Sequence, residues 1–285
     1  PEPGAVAAEP LEPRQRCGEH NRVGEVERVY YIADFVSEAG ASELQAHLPA
    51  PADPAWTQLT HRKLLNCGGV PHPSGMFAEA LPPWFSGVSE RLLASGAFPA
   101  DAPPNQVLLN EYDTEQRQGS AAAAGGAEGS EGEGGGIAPH NDGPLYSPRV
   151  AILTLGSPAV LHFWPLPPAT GRGERPSAGS GWAAVEGRAP LSSVLLQPRS
   201  LLVFDSDAYT AMLHGIRPCA AEALGSTVCN LAACTSPPQQ QGDVVRRGRR
   251  LSLTVRRVPN VAKQASDFLS SEEESERARR WAWWR

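Results

Sequence analysis

From residue 137 onward the sequence supplies one strand-like segment after another: "RVAILTLGS", "AVLHFW", "SSVLLQ", "SLLVFD", "MLHGI" and "RLSLTVRRV". Each is rich in β-branched, leucine or aromatic residues and is bounded by turn chemistry such as Gly-Ser-Pro and Gln-Pro-Arg-Ser. Upstream, "VYYIADFVSEAGASELQAHL" reads as a short strand and then a helix with Ser37 at its N-cap. "LPPWFSGVSERLLASGAF" reads as a second helix with proline near its first turn, and "NQVLLNEY" as a strand. Strands without intervening helices, after an α/β start, predict a mostly β protein of the α+β class. Its core would be an antiparallel barrel or sandwich with the N-terminal helices outside.

The 285 residues suffice for one large domain or two small ones. With 28 Gly and 28 Pro, the connections are expected to be long and irregular. Residues 115–136 are a Gly/Ala/Glu-rich low-complexity insert that cannot bury a core, and a surface loop tolerates such length at little entropic cost. It separates an N-terminal extension, 23–114, from an expected core at 137–260. Residues 1–22 are expected to be disordered, and 261–285, ending "RARRWAWWR", to form a charged tail.

The net charge of −6 opposes strong non-specific binding to nucleic acid, but much of the acid lies near 128–133 and in "SEEESE". Five cysteines without a C-x-x-C pair argue against a disulfide framework or zinc ribbon and favour a reducing compartment, cytoplasm and nucleus. No apolar run is long enough to cross a membrane, the first residues lack a signal-peptide core, and the start at Pro1 leaves an upstream segment open. A monomer is expected.

Directly after the insert stands "IAPHNDGPLY". His140 and Asp142 are two residues apart, so on an extended strand both side chains point to one face. They can begin a metal site, or be no more than a turn-capping Asp beside an exposed His. A third ligand changes the weighing, because two histidines and one carboxylate on one face of a metal leave the other positions open for oxygen chemistry at non-haem iron. His214 in "AMLHGIRP" is the best candidate, in an apolar strand before a glycine that permits close approach. His20 and His47 lie in polar or helical sequence, His61 and His72 flank a loop, and His162 in "VLHFW" suits a core or cross-strand role.

In "RRLSLTVRR", Arg250, Ser252, Thr254 and Arg256 alternate with Leu251, Leu253 and Val255. This is either an amphipathic edge strand with its arginines in water, or a strand that lines something polar while backing onto a core. A dicarboxylate ligand needs such guanidinium groups. Six residues of straight strand span roughly 20 Å, so the two arginines must lean together or one alone must clamp.

The ordered series Asn110-x-Tyr112, His140-x-Asp142, His214 and Arg250-x5-Arg256, with "LTLGSPAVLHF" and "SLLVFDSDAYTAMLHGI" flanking it, resembles the AlkB family of Fe(II)- and 2-oxoglutarate-dependent dioxygenases. The resemblance covers roughly residues 24–112 and 137–260. It implies a double-stranded β-helix (jelly-roll) core in which His140, Asp142 and His214 hold Fe(II). It also implies that Arg250 pairs with the distal carboxylate of 2-oxoglutarate, that Arg256 lies near iron and substrate, and that Asn110 and Tyr112 contact the cosubstrate from the side. O2 would be the oxidant, and N-methylated bases of single-stranded RNA or DNA the substrate, with protein side chains or a catalytically silent RNA-binding module as alternatives. The loops of the N-terminal extension would cover the substrate, with Trp56 and His61 placed to stack on a base and Arg62 and Lys63 to meet phosphate. Trp56 in the core above an ordinary turn is the competing reading. "RRGRR" at 246–250 is a further possible phosphate contact. The insert before His140 is longer than the family pattern, and Ser252 stands where some members carry Asn.

Overall fold

The computed structural model describes residues 4–50, 53–59, 62–72, 75–112, 135–167, 181–235 and 237–262. The strands of the N-terminal part are β1 (Val29–Ile32), β2 (Thr57–Gln58), β3 (Lys63–Cys67), β4 (Gly69–His72), β5 (Gly75–Ala78) and β6 (Gln106–Tyr112). Those that follow are β7 (Ile137–His140), β8 (Arg149–Gly156), β9 (Ala159–Pro165), β10 (Ser192–Leu196), β11 (Leu201–Asp205), β12 (Met212–Ile216), β13 (Ala221–Ala223), β14 (Val244–Arg246), β15 (Arg250–Arg256) and β16 (Val261–Ala262). The α-helices are α1 (Glu38–His47), α2 (Ser86–Ala94) and the single turn α3 (Asp207–Thr210). Ser37 caps α1 as its sequence predicts, its hydroxyl accepting from Gly40 N at 2.9 Å. Among the described residues no helix is long and apolar enough to cross a membrane, and all five cysteines are free.

Among these elements β1-β11-β8-β15-β6-β3-β2 form one antiparallel sheet and β10-β9-β12-β7 another. The reason β8 reads as a near-continuous apolar run is that both its faces are covered. Val150 and Ile152 join Leu202 and Phe204 of β11 against Leu161 and Phe163 of β9 and Val194 of β10, which is the interior between the sheets. Ala151, Leu153 and Leu155 face the other way, onto a core built with Phe35, Leu44 of α1, and Val88 and Leu92 of α2. Two sheets enclosing one interior, with helices on the outer face of the larger, form the mostly β double-stranded β-helix architecture.

The alternation of β15 is realised in this frame. Leu251, Leu253 and Val255 enter the helix-side core, whereas Arg250, Ser252, Thr254 and Arg256 point into the sandwich, and all seven residues are buried. The edge-strand reading is thereby excluded, since β8 and β6 pair with β15 on either side.

The expectation of a disordered N-terminus is corrected for residues 4–22. Val6 is buried in the helix-side core, and a Cβ on Gly87 of α2 would lie 2.1 Å from Val6 O, so this segment rests directly on the helix. Buried Arg91 fixes it, donating to Pro10 O and to Gln15 Oε1, both at 3.0 Å. Low apolar content hid this, because the anchoring uses backbone carbonyls that any sequence supplies.

Leu253 is fully buried in the helix-side core, on the face of its strand opposite Arg250 and Arg256. Leu253→Ala should destabilise the protein by about 2–5 kcal/mol, read as a lower midpoint in urea at unchanged slope.

Candidate active site

Pairing of β12 with β7 sets His214 directly across from His140. Gly215 makes this approach possible: a Cβ there would lie 2.9 Å from Pro139 N and 3.0 Å from Ile137 O, closer than a side chain tolerates. The imidazoles stand 4.4 Å apart between centroids, and Asp142 follows two residues after His140. One ligand atom from each of His140, Asp142 and His214 lies within 4.8 Å of the others, a spacing able to hold a single metal ion.

The donors are prepared for a cation. His140 Nδ1 is 2.8 Å from Ala138 O, so that nitrogen carries the proton and Nε2 keeps its lone pair towards Asp142, whose Oδ1 is 3.9 Å away. Burial, reinforced by the His140 charge, pushes His214 down to about 3, and burial also lowers His140, so both imidazoles are neutral near pH 7. Burial alone would raise Asp142, but Arg256 and the two imidazoles pull it to about 2. Its Oδ1 accepts from Arg256 Nη2 at 2.5 Å, while Oδ2 has no hydrogen-bond partner.

The three donors lie in a cavity of about 500 Å³ whose lining includes Asn110, Tyr112, Tyr146, Arg250, Ser252 and Arg256. The two arginines play different parts. Arg256 is neutralised by Asp142 and lies 4.8 Å from the centroid of the Tyr146 ring. Arg250 has no carboxylate partner among the described residues: Nη2 donates to Thr154 Oγ1 at 3.0 Å and Ser252 Oγ at 3.3 Å, the Tyr112 ring lies 5.3 Å away, and Nε and Nη1 make no hydrogen bond. Burial pushes its pKa down to about 10, the signature of a cation enclosed without an anion. The donor atoms and this guanidinium together fit a metal ion and a carboxylate ligand.

Asn110 accepts from Arg62 Nε at 2.9 Å, so Arg62 is drawn to the cavity wall. Trp56 and Lys63 do not line the cavity: Trp56 packs on the helix-side core with Lys63 Nζ 5.2 Å from its ring centroid, and Lys63 is 2.8 Å from Glu111. His61 lies outside the described residues. In "RRGRR", Arg247 pairs with Glu222, Arg249 with Glu111 at 2.5 Å, and Arg250 turns inward, so three of the four arginines are engaged and Arg246 is exposed. His162 is buried between Ser193 Oγ at 2.8 Å and Glu222 Oε1 at 2.9 Å, a cross-strand role.

Asn141, between the two ligand positions, is a residue that the sequence analysis does not single out. Its amide donates to Tyr209 O and, at 3.1 Å, to Met212 O, while Oδ1 accepts from Gly143 N at 2.9 Å. It therefore pins the ligand turn to the α3–β12 segment, and Tyr209 closes the tie by donating to Gly143 O at 2.7 Å. The Asn-Asp-Gly turn signature was the available clue.

A double-stranded β-helix with two histidines and an aspartate converging in its interior carries the donor set of the two-histidine, one-carboxylate class of non-haem metal sites. No family model matches the chain. The zebrafish (Danio rerio) protein called probable RNA/DNA demethylase ALKBH6 is 38% identical over 233 residues, which is 82% of this chain and 86% of that protein. On that identity the chain belongs to the AlkB family. Among solved structures, OsALKBH1 (14% identity, TM-score 0.42) covers 82% of this chain and 99% of its own. An oxidoreductase of the 2OG-Fe(II) oxygenase family from Burkholderia pseudomallei (13%, TM-score 0.41) covers 88% and 97%. Family membership rests on the zebrafish protein.

Two outcomes are expected. Mn(II), an oxygen-stable stand-in, should bind saturably to the wild type and not to His214→Ala, with affinity reduced about 10–100-fold in Asn141→Ala, read by calorimetry. In metal-free protein the unfolded chain takes up protons on these histidines below about 6.5, whereas folded His214 resists protonation to about 3. Because the unfolded state binds more protons in that window, stability should fall as pH drops through it, and melting temperatures against pH should show a smaller acid loss for His214→Ala than for the wild type.

Proposed function

We propose that this protein is an Fe(II)- and 2-oxoglutarate-dependent dioxygenase that removes N-methyl groups from bases in RNA or DNA. The observation that carries the cosubstrate is buried Arg250, a cation without a carboxylate partner among the described residues, in the cavity that also holds the His140, Asp142 and His214 donors. A dicarboxylate with one end at the metal and the other on Arg250 supplies the missing anion and satisfies Nε and Nη1. The nucleic-acid substrate is supported by the zebrafish relative, a probable RNA/DNA demethylase.

His140 Nε2, His214 and an Asp142 oxygen would hold the metal, leaving further coordination positions open. When bound, the metal couples O2 and 2-oxoglutarate to hydroxylation of a methyl C–H bond, with succinate and CO2 as coproducts; the hydroxymethyl group then leaves nitrogen as formaldehyde. The chain positions the partners. Arg256 holds Asp142 ionised and oriented, and the Tyr146 ring meets its guanidinium. Arg250, supported by Thr154 and Ser252, fixes the distal carboxylate, with Asn110 and Tyr112 on the neighbouring strand beside it. Apolar Ile152, Leu161 and Ile216 in the wall limit water around the reacting carbon.

The test adds Fe(II) and then 2-oxoglutarate to anaerobic protein and follows the visible band of an iron–keto acid chelate. The band should appear in the wild type and vanish in His140→Ala. In Arg250→Ala the 2-oxoglutarate needed for half-maximal band should rise on the order of a hundredfold. A folded wild type without the band would sink the dioxygenase reading and leave a binding module.

A further inference from the structure

We propose that the groove beside the catalytic cavity seats the nucleotide adjoining the target base in a single strand, with Trp182 as its stacking platform; this rests on the nucleic-acid reading above. The groove encloses about 640 Å³ and shares Arg62, Ile137 and Ala138 with the cavity that contains the metal donors. The two spaces are therefore adjoining parts of one mouth, divided at Arg62 and the start of β7.

Its walls are unusual for a surface. Among the described residues only five large apolar side chains are exposed, and two of them, Leu59 and Trp182, each 37% exposed, line this one groove. Scattered exposed apolar residues need no explanation, but two brought together at the opening of a reaction cavity mark a binding surface.

Trp182 is also held in place. It belongs to the short 3-10 segment Gly181–Val185, whose Val185 is buried with Trp164 and Leu213. The Trp182 ring meets buried Trp164 edge to face, at 6.3 Å and 90°. An indole anchored in this way costs little further entropy when a flat ring stacks on it. Leu59 is fixed by its own turn, Leu59 N donating to Arg62 O at 2.8 Å.

The occupant follows from this chemistry. A cavity of about 500 Å³ has room for the cosubstrate and one base, so the second apolar space must take something attached to that base. Every neighbouring base has a π-face suited to the indole whatever its identity. Arg62, common to both spaces and held by Asn110, supplies a cation where the intervening phosphodiester would cross. A peptide added along β7 is disfavoured, because that strand is short and Pro139 lacks the N–H that strand addition uses.

The test measures the affinity of the full chain, loaded with Mn(II) and 2-oxoglutarate, for an N-methylated mononucleotide and for a single-stranded trinucleotide carrying the same methylated base at its centre. The wild type should prefer the trinucleotide by about tenfold. Trp182→Phe should keep most of that preference and Trp182→Ala should lose it. A preference that survives Trp182→Ala overturns the platform while leaving the nucleic-acid reading intact. Equal loss of both probes in Trp182→Ala and Trp182→Phe also overturns it, by making the indole a structural residue. A wild type that gives the iron–keto acid band but binds neither probe overturns the nucleic-acid reading and the platform with it; a methylated peptide bound instead would make the groove a protein site.

Discussion

The structure depends on one strand with two incompatible faces. β15 places Leu251, Leu253 and Val255 in the helix-side core and turns Arg250 and Arg256 into the space between the sheets. Two guanidinium groups inside a protein are costly unless each meets an anion. Asp142 answers one, at 2.5 Å from Arg256, and that aspartate is also one of the three donors placed to hold a metal ion. The other is left for a ligand. The helix-side leucines and valines hold the strand in the middle of the larger sheet, and the arginines make its inner face a place where a carboxylate is wanted.

The same logic explains how charge is balanced around the three donors. Two buried imidazoles near one carboxylate would repel each other if protonated, and burial with mutual repulsion keeps them neutral. A carboxylate among neutral imidazoles would itself be unstable in the interior, so the contact with Arg256 preserves its charge. A dication adds positive charge to this group, and a dicarboxylate restores the balance at both ends of the cavity. Binding of metal and of cosubstrate are thus electrostatically complementary.

Much of this was legible in the sequence because it is written in local patterns. The period-two alternation of residues 250–256 foretold a strand with one polar and one apolar face, although not that the polar face was enclosed. The two-residue spacing of His140 and Asp142 predicts one face of a single strand, whereas β7 ends at His140 and Asp142 stands in the turn beyond it, and His214 is brought opposite by a cross-strand register that no local pattern states. The role of Asn141 was hidden because its partners, Tyr209 O and Met212 O, are backbone atoms distant in sequence. Charge runs misled for a related reason. "RRGRR" looks like an open basic patch until Glu111 and Glu222, remote in the chain, are seen to claim Arg249 and Arg247. The resemblance sets Trp56 to stack on a base with the core as the competing reading, and in space it packs against the helix-side core.

One feature of the smaller sheet bears on how the centre is maintained. Among the described residues β7, which carries His140 and leads into Asp142, is the last strand of its sheet, pairing only with β12 and through a register that shifts between His214 and Ile216. An edge strand of four residues, one of them proline, has few backbone bonds to keep it in place. A metal ion held by His140, Asp142 and His214 would therefore also act as a cross-strand staple, fastening the outermost strand to its neighbour through side chains where the main chain does little. Occupancy of the centre and local order of the cavity mouth would then be one equilibrium, in which losing the ion would also loosen part of the cavity wall.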